Sequence, residues 1–272
     1  MRSAVRDDDV TRTGGSLSML GRAFTLLGAF RPGEAEVTLA ELTRRSGVPK
    51  PTAHRLLGEL EEWGAVERNG RGYRLGLRLF ELGQLVPRQR ELQETAAPFL
   101  ADLFEATRET VHLAVPDGVE VVYVQKLPAS SAPEIPSRQG GRMPAYCTGL
   151  GKALLAFGPP ARLQAVLDAG LVRRTPRTVV APGLLSAELA EIRRRGLAEE
   201  HEESAVGIAC VAAPVFGPGG DAVAALSITG WSNRLHTARV APAVQTAALA
   251  LSRALGGRPP RRAPGNSGRT RS

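Results

Sequence analysis

The 272-residue sequence predicts an α+β protein in two domains, and three observations carry that reading. Thr38 to Arg78 reads as a short helix, a tight turn, a second helix and a small basic hairpin, the order of a winged helix-turn-helix. After residue 110, apolar runs broken by turn residues pair naturally as hairpins, with helical stretches between and after them. Charge follows the same division. Residues 1–78 hold 13 basic and 10 acidic side chains, residues 79–255 hold 17 of each, and the tail after Leu255 adds five arginines and no acid. Hydrophobic residues make up 43% and aromatic residues 4%, so the cores must be built from Ala, Val and Leu. That is enough apolar material to fold without disulfide staples.

Taken in order, residues 1–15 are polar and are expected to be disordered. A helix is expected from Ser16 to Phe30, with Leu17, Leu20, Phe24 and Leu27 as its buried stripe. Arg31-Pro32-Gly33 stops it. Thr38 and Glu41 form a capping box that opens the next helix, and Gly47 suits the left-handed turn that ends it. Val48 is placed to plug the angle between the two helices. The following helix runs from Lys50 or Pro51 to Trp63, with Ala53, Leu56, Leu57, Leu60 and Trp63 facing inward. Pro51 fits the first turn, where its missing N–H costs nothing. Val66–Arg68 and Tyr73–Leu75 flank Asn69-Gly70-Arg71-Gly72, a hairpin signal.

This arrangement leaves Lys50, Thr52, His54 and Arg55 on the exposed N-terminal half of the second helix. That half is where such a helix meets base edges, and its free N–H groups favour phosphate. Arg68, Arg71 and Arg74 place three cations on the wing. Each feature alone fits an ordinary solvated surface; together they point to double-stranded DNA.

Here the residues carry a resemblance. The stretch TLAELTRRSGVPKPTAHRLLGELEEWGAVERNGRGYRLGLRLFELG resembles the N-terminal domain of IclR-type bacterial transcriptional regulators. ETVHLAVPDGVEVVYVQKL, GGRMPAYCTGLGKALLA, ELAEIRRRGLAEEHEES and VGIACVAAPVF resemble segments of that family's effector domain, in the same order. The likeness covers Leu17 to Leu255. It implies a winged helix-turn-helix over 16–76, a linker helix over 77–90, a GAF-like effector domain over 91–256 and a basic disordered tail over 257–272. It also implies operator contacts from Thr38, Lys50, Pro51, Thr52, His54, Arg55, Arg68, Arg71 and Arg74. Pro51 stands where the family often has a small hydroxyl residue, which removes one phosphate contact.

Within the second domain the residues predict helices over 75–86 and 88–107, 149–157, 161–168, 186–195 and 238–255, with residues 128–141 as a loop. Polar atoms set in apolar segments mark a candidate pocket. Cys147 and Thr148 lead into the helix beginning at Gly149, Cys210 interrupts an apolar strand, and Ser227 and Thr229 share one strand face. The resemblance implies an effector site at Met143, Gly149, Leu150, Glu200, Ile208, Cys210, Ser227 and Thr229, to which Cys147 is added on its position. Glu200 departs from a shorter Asp, which reshapes the pocket. The ligand class implied is a small organic acid.

Alternatives stay open. Cys147 and Cys210 form no metal-ligand pattern, but they suit a redox bridge in a DNA-binding sensor. An enzyme would use one of them as nucleophile with His112, His201 or His236 as base, yet no nucleophile signature surrounds either. No cofactor or metal is expected. The N-terminus lacks an apolar leader core and no stretch suits a membrane span, so a cytoplasmic homodimer or tetramer is expected.

Overall fold

The computed structural model describes residues 17–130, 133 and 136–258, with the Arg88 side chain left aside. The expected tails fall almost wholly outside these residues. The chain divides between Pro87 and Arg88 into two compact units.

The first unit begins with α1 (Met19–Leu27), capped by Ser18, whose Oγ accepts the Gly21 N–H at 3.1 Å. A two-residue strand β1 (Val37–Thr38) leads into α2 (Leu39–Ser46) and α3 (Lys50–Glu62). Thr38 Oγ1 accepts the Glu41 N–H at 3.3 Å. The Glu41 carboxylate does not return to Thr38 but pairs with Arg44 and Arg45, so half of the expected capping box forms. Gly47 ends α2 at φ 67°, a left-handed conformation that a side chain would strain. Val48 is buried between the helices, as expected of a plug. The hairpin β2 (Val66–Asn69) and β3 (Gly72–Leu75) forms with Asn69 opposite Gly72, and β1 joins it antiparallel to β3.

Leu26, Leu42 and Leu57 are fully buried and centre this core. Each contributes about 1.5–3 kcal/mol of transfer free energy. Two expectations about it are corrected. On α1 the core face is Ala23 and Leu26, whereas Leu17, Leu20 and Phe24 are exposed and Leu27 is half-buried. Small residues let α1 approach α3 closely, which turns the bulkier stripe outward. Trp63, expected in the core, is 79% exposed. It is the C-cap of α3, where the chain turns away through Gly64, so helical periodicity no longer sets its face.

The short α4 (Leu77–Gln84) buries no residue. It is followed by the long α5 (Pro87–Thr107), which starts at Pro87 as the sequence suggests. The second unit is built on a six-stranded antiparallel sheet. Its strands are β4 (Thr110–Asp117), β5 (Glu120–Leu127), β6 (Arg142–Pro144), β7 (Ala198–His201), β8 (Ile208–Phe216) and β9 (Ala222–Trp231), in the order β6-β5-β4-β9-β8-β7. A 3₁₀ turn (Ala145–Cys147) precedes α6 (Gly149–Ala156), and α7 (Pro160–Ala169), α8 (Pro182–Arg195) and α9 (Thr237–Ala254) complete the unit. α5 and α9 pack on one sheet face through Leu92, Ala96, Leu100, Val244 and Leu251. α6 covers the other face, with α7 and α8 around it. Every residue of α6 is buried. Gly151 is required there, because an added Cβ would lie 2.1 Å from the Ala145 carbonyl oxygen. The expected loop 128–141 ends at β6, an edge strand too short to read in advance.

Candidate functional site

The DNA-reading candidates cluster as the helix-turn-helix pattern expects. Lys50, Pro51, His54 and Arg55 are exposed on the first turns of α3, and Thr52 beside them is half-buried. The preceding Pro49 supplies no side-chain cap, so the start of α3 presents its early N–H groups uncovered by a side chain. Arg55 is not extended. Its guanidinium donates to Glu59 at 2.5 Å and lies against Met19 Sδ at 2.9 Å. Thr38 is occupied as the cap of α2.

The wing differs from a row of three equal cations. Arg68 donates to the Tyr73 hydroxyl at 2.9 Å and sits 5.4 Å from that ring's centre. Arg74 pairs with Glu67 directly across the hairpin at 2.6 Å. Arg71 stands exposed in the turn between the strands.

In the second unit a small, tight cavity opens beside the sheet face under α6. Met143, Gly149, Leu150, Glu200, Ile208, Cys210 and Thr229 line it, seven of the nine residues singled out from sequence. The register explains why. Glu200 lies opposite Cys210 on β7–β8, and Cys210 lies opposite Thr229 on β8–β9, so the three form one cross-strand row. Cys147 and Ser227 do not line the cavity. Cys147 is fully buried in the core beneath α6, and Ser227 lies one row away between Ala212 and His112.

The wall also holds Thr148, marked from sequence beside Cys147, His112, named there only as a possible base, and four residues the sequence did not mark: Tyr123, Pro136, Ser137 and Ser204. His112 Nε2 is 2.8 Å from Ser137 Oγ, and its Nδ1 is 3.4 Å from Thr229 Oγ1. The ring also meets Tyr123 edge-on, with centres 5.1 Å apart. Lys126 Nζ donates to the Ser137 carbonyl at 2.7 Å, which holds this loop against the sheet. The legible signal for His112 was its alternation with Thr110 and Ala114 on an apolar strand. Its pairing opposite Ser227 was not legible, because that contact is long-range.

Burial sets the electrostatics. It lowers His112 to about 3, with Lys126 adding to the effect, so the ring is neutral near pH 7. Burial raises Glu200 to about 7, against the N–H groups of Ser204 and Glu203 that favour its charged form. Those amides donate to Glu200 Oε1 at 3.0 and 2.6 Å. Behind the wall, Lys152 is fully buried between Glu188 at 2.5 Å and Glu203 at 2.6 Å. Burial alone would lower the Lys152 ammonium, but the two carboxylates outweigh it and hold the group charged.

Chemically the wall sets imidazole, hydroxyl, thiol and carboxyl groups among apolar side chains. At the start of α6, Thr148 Oγ1 accepts the Gly151 N–H at 3.2 Å, which fixes the turn beside the cavity. Burial pushes the thiols of Cys147 and Cys210 up to about 12 and about 11, so neither is a ready nucleophile. Both are free and buried, and nothing in the site favours the redox alternative. Among the described residues no group of His, Cys, Asp and Glu is arranged to hold a metal, and no helix is long and apolar enough to cross a membrane.

Two family models match the chain: the IclR helix-turn-helix domain over residues 19–70 and the bacterial transcriptional regulator IclR C-terminal domain over residues 84–253. The HTH-type transcriptional regulator XynR of Escherichia coli is 35% identical over 241 residues, covering 86% of this chain and 96% of that protein. The transcriptional repressor IclR of Escherichia coli is 32% identical over 231 residues, covering 83% and 84%. Among solved structures, an IclR homolog from Microbacterium hydrocarbonoxydans complexed with 4-hydroxybenzoate matches with a TM-score of 0.80 at 29% identity, covering 88% of this chain and 99% of that one. The Thermotoga maritima IclR matches with a TM-score of 0.72 at 33% identity, covering 87% and 98%. Helix-turn-helix unit, effector unit and their order all agree, and the chain belongs to the IclR family of bacterial DNA-binding transcriptional regulators.

Proposed function

We propose that this regulator senses a small organic acid in the cavity of its second unit and controls a nearby metabolic operon through its first. The observation that carries the reading is the cross-strand row Glu200–Cys210–Thr229, which sets polar groups around a small buried cavity on one sheet face. The turn after β7 occupies Oε1 of Glu200, which leaves its second oxygen for a ligand. The 4-hydroxybenzoate held by the Microbacterium homolog supports an acid as the ligand class.

On the output side, Lys50, Pro51, Thr52, His54 and Arg55 enter the major groove, and Arg71 leads the wing towards the backbone. Arg55 leaves Glu59 to reach a base edge. Arg68 and Arg74 act as supports of the wing as well as phosphate contacts. On the input side, Met143, Gly149, Leu150, Ile208 and Thr229 contact the ligand together with Glu200 and Cys210, while Cys147 and Ser227 shape the wall from behind. The protein works as a homodimer or tetramer on a palindromic operator, each dimer placing two α3 helices in successive major grooves. Coupling follows because the ligand binds one arrangement of the assembly better than another.

The experiment is fluorescence anisotropy on the duplex upstream of the protein's own gene beside a scrambled duplex of equal length. The reading expects binding at least about a hundredfold tighter to the former, weakening steeply with salt. Equal affinity for both duplexes removes it.

A further inference from the structure

The charges around the cavity do not suit an anion as they stand. Glu200 is 2% exposed on the wall, and no Lys or Arg is among the lining residues. The nearest buried cation, Lys152 of α6, is already bound by two carboxylates, Glu188 of α8 and Glu203 of the turn after β7. That triad is net negative by one before Glu200 is counted. An ionised Glu200 and a ligand carboxylate would add two more negative charges to one desolvated space. Two carboxylates in such a space share a proton rather than both ionise.

We propose that Glu200 makes the site selective for acids through a shared proton: the ligand's carboxylate binds beside a protonated Glu200 carboxyl, and each binding event takes one proton from water. Oε1 of Glu200 already accepts the Glu203 and Ser204 N–H groups, which leaves Oε2 to carry the proton and donate it as a hydrogen bond. The ligand's other oxygen is then free for a neutral donor of the wall, such as the Thr229 hydroxyl. This inference rests on the acid-sensing reading.

The other groups facing Glu200 leave it as the titrating one near neutral pH. His112 on β4 is held neutral down to about 3, and the thiols of Cys210 on β8 and Cys147 on the 3₁₀ turn stay protonated up to about 11 and about 12. Tyr123 on β5 is raised further still by burial. Arg174 reaches only the Cys147 side of this region, and Lys126 is committed to the Ser137 carbonyl. Burial also raises Glu203, but the Lys152 ammonium opposes that shift directly. Glu199 and His201 alternate with Glu200 along β7 and point to the opposite face.

The test is titration calorimetry of the full chain with benzoate, 4-hydroxybenzoate, pyruvate and succinate at about pH 6, 7 and 8. Each pH uses two buffers of different ionisation enthalpy, which counts protons directly. For wild type the expected result is uptake of close to one proton per ligand at pH 8 and an affinity that falls towards tenfold per pH unit above about 7. Glu200→Gln, which mimics the protonated side chain, is expected to bind with no pH slope and about tenfold more tightly than wild type at pH 8. A wild-type affinity that is flat from pH 6 to 8 overturns the shared proton while leaving acid sensing intact. A slope that persists in Glu200→Gln also overturns it and moves the proton to Glu203. If none of the four acids binds either protein at any pH, the acid-sensing reading itself fails. Should Glu200→Gln not fold, as its melting curve would show, the wild-type proton count decides alone.

Discussion

The two units differ in where their charges lie. The DNA-reading unit keeps most of its ion pairs at the surface, with Arg44 on Glu41, Arg55 on Glu59 and Arg74 on Glu67, while Arg45 is part-buried against Glu34 and Glu41. It leaves Leu20, Phe24, Trp63, Leu77 and Phe80 exposed. The effector unit also has surface pairs such as Arg108 with Glu105 and exposes Val172, Leu184 and Val206, but it adds a buried set of charges. Its apolar side chains are deeply packed on both sheet faces, and its most consequential charges, Lys152, Glu200 and Glu203, are buried. Surface pairs in water exchange partners at little cost. Arg55 can therefore trade Glu59 for DNA. Buried charges cannot be exchanged cheaply, so a ligand that alters them alters the energy of the whole unit. The contrast suits an output that must let go and an input that must register one molecule.

The largest expected effect tests the buried side of that contrast. Lys152→Met leaves Glu188 and Glu203 facing each other without a cation, and is expected to destabilise the effector unit by about 3–5 kcal/mol. Chemical denaturation followed by probes placed in each unit should show the loss in the second unit only. Leu57→Ala is the counterpart in the first. Its fully buried side chain leaves a cavity between the helices, and the expected cost is about 2–5 kcal/mol. If either variant weakened both units equally, the two would not be separate cooperative bodies.

Acid offers a third test. His112 titrates at about 3 in the folded chain and at 6.5 when unfolded, so the unfolded state binds the extra proton between these values. Its contribution is fully present above pH 6.5 and is lost as pH falls towards 3. Over that window His112 should account for a loss of about 2–4 kcal/mol, read as the difference between wild type and His112→Gln because other groups titrate in the same range. Glu200 acts in the opposite sense. Its raised value favours the folded state below 4.5, and that advantage is lost as pH rises through about 7. Equal acid lability in wild type and His112→Gln would show that the ring is not held neutral.

Smaller effects are expected at the surface. Arg55→Ala should weaken operator binding by about 1–3 kcal/mol and relax specificity at one base position, with stability nearly unchanged. A loss equal on all duplexes would assign Arg55 to phosphate instead. Trp63→Ala should change the stability of the first unit by less than about 0.5 kcal/mol. A loss of about 3 kcal/mol or more would restore the tryptophan to the core position that helical spacing assigns it.

That last residue shows what the sequence could and could not reveal. Thr38, Gly47, Val48, Pro51 and the Asn69-Gly70 turn act over a few residues, so the helix-turn-helix and its wing were legible directly. The inward face of α1 was not, because its core contacts are small: Ala23 and Ala29 pack where larger residues would be sought, and Phe24 looks outward. In the effector unit both long hairpins were legible from local alternation and turns. The pairing of β4 with β9, and the short edge strands β6 and β7, depend on contacts more than a hundred residues apart or on runs of three or four residues. For that reason Cys210 and Thr229 could be named in advance, whereas Tyr123, Ser137 and Ser204, and the place of His112 in the wall, emerged only from the fold.

On the proposed function, occupancy of the Glu200–Cys210–Thr229 cavity changes how α3 meets DNA. The most direct measurement is the operator dissociation constant by anisotropy, with and without a saturating acid that calorimetry shows to bind. Linkage demands that operator DNA change the affinity for the acid by the same factor. A shift of at least about fivefold is expected in both directions of that cycle. An acid that binds the cavity while leaving the operator dissociation constant unchanged would contradict it.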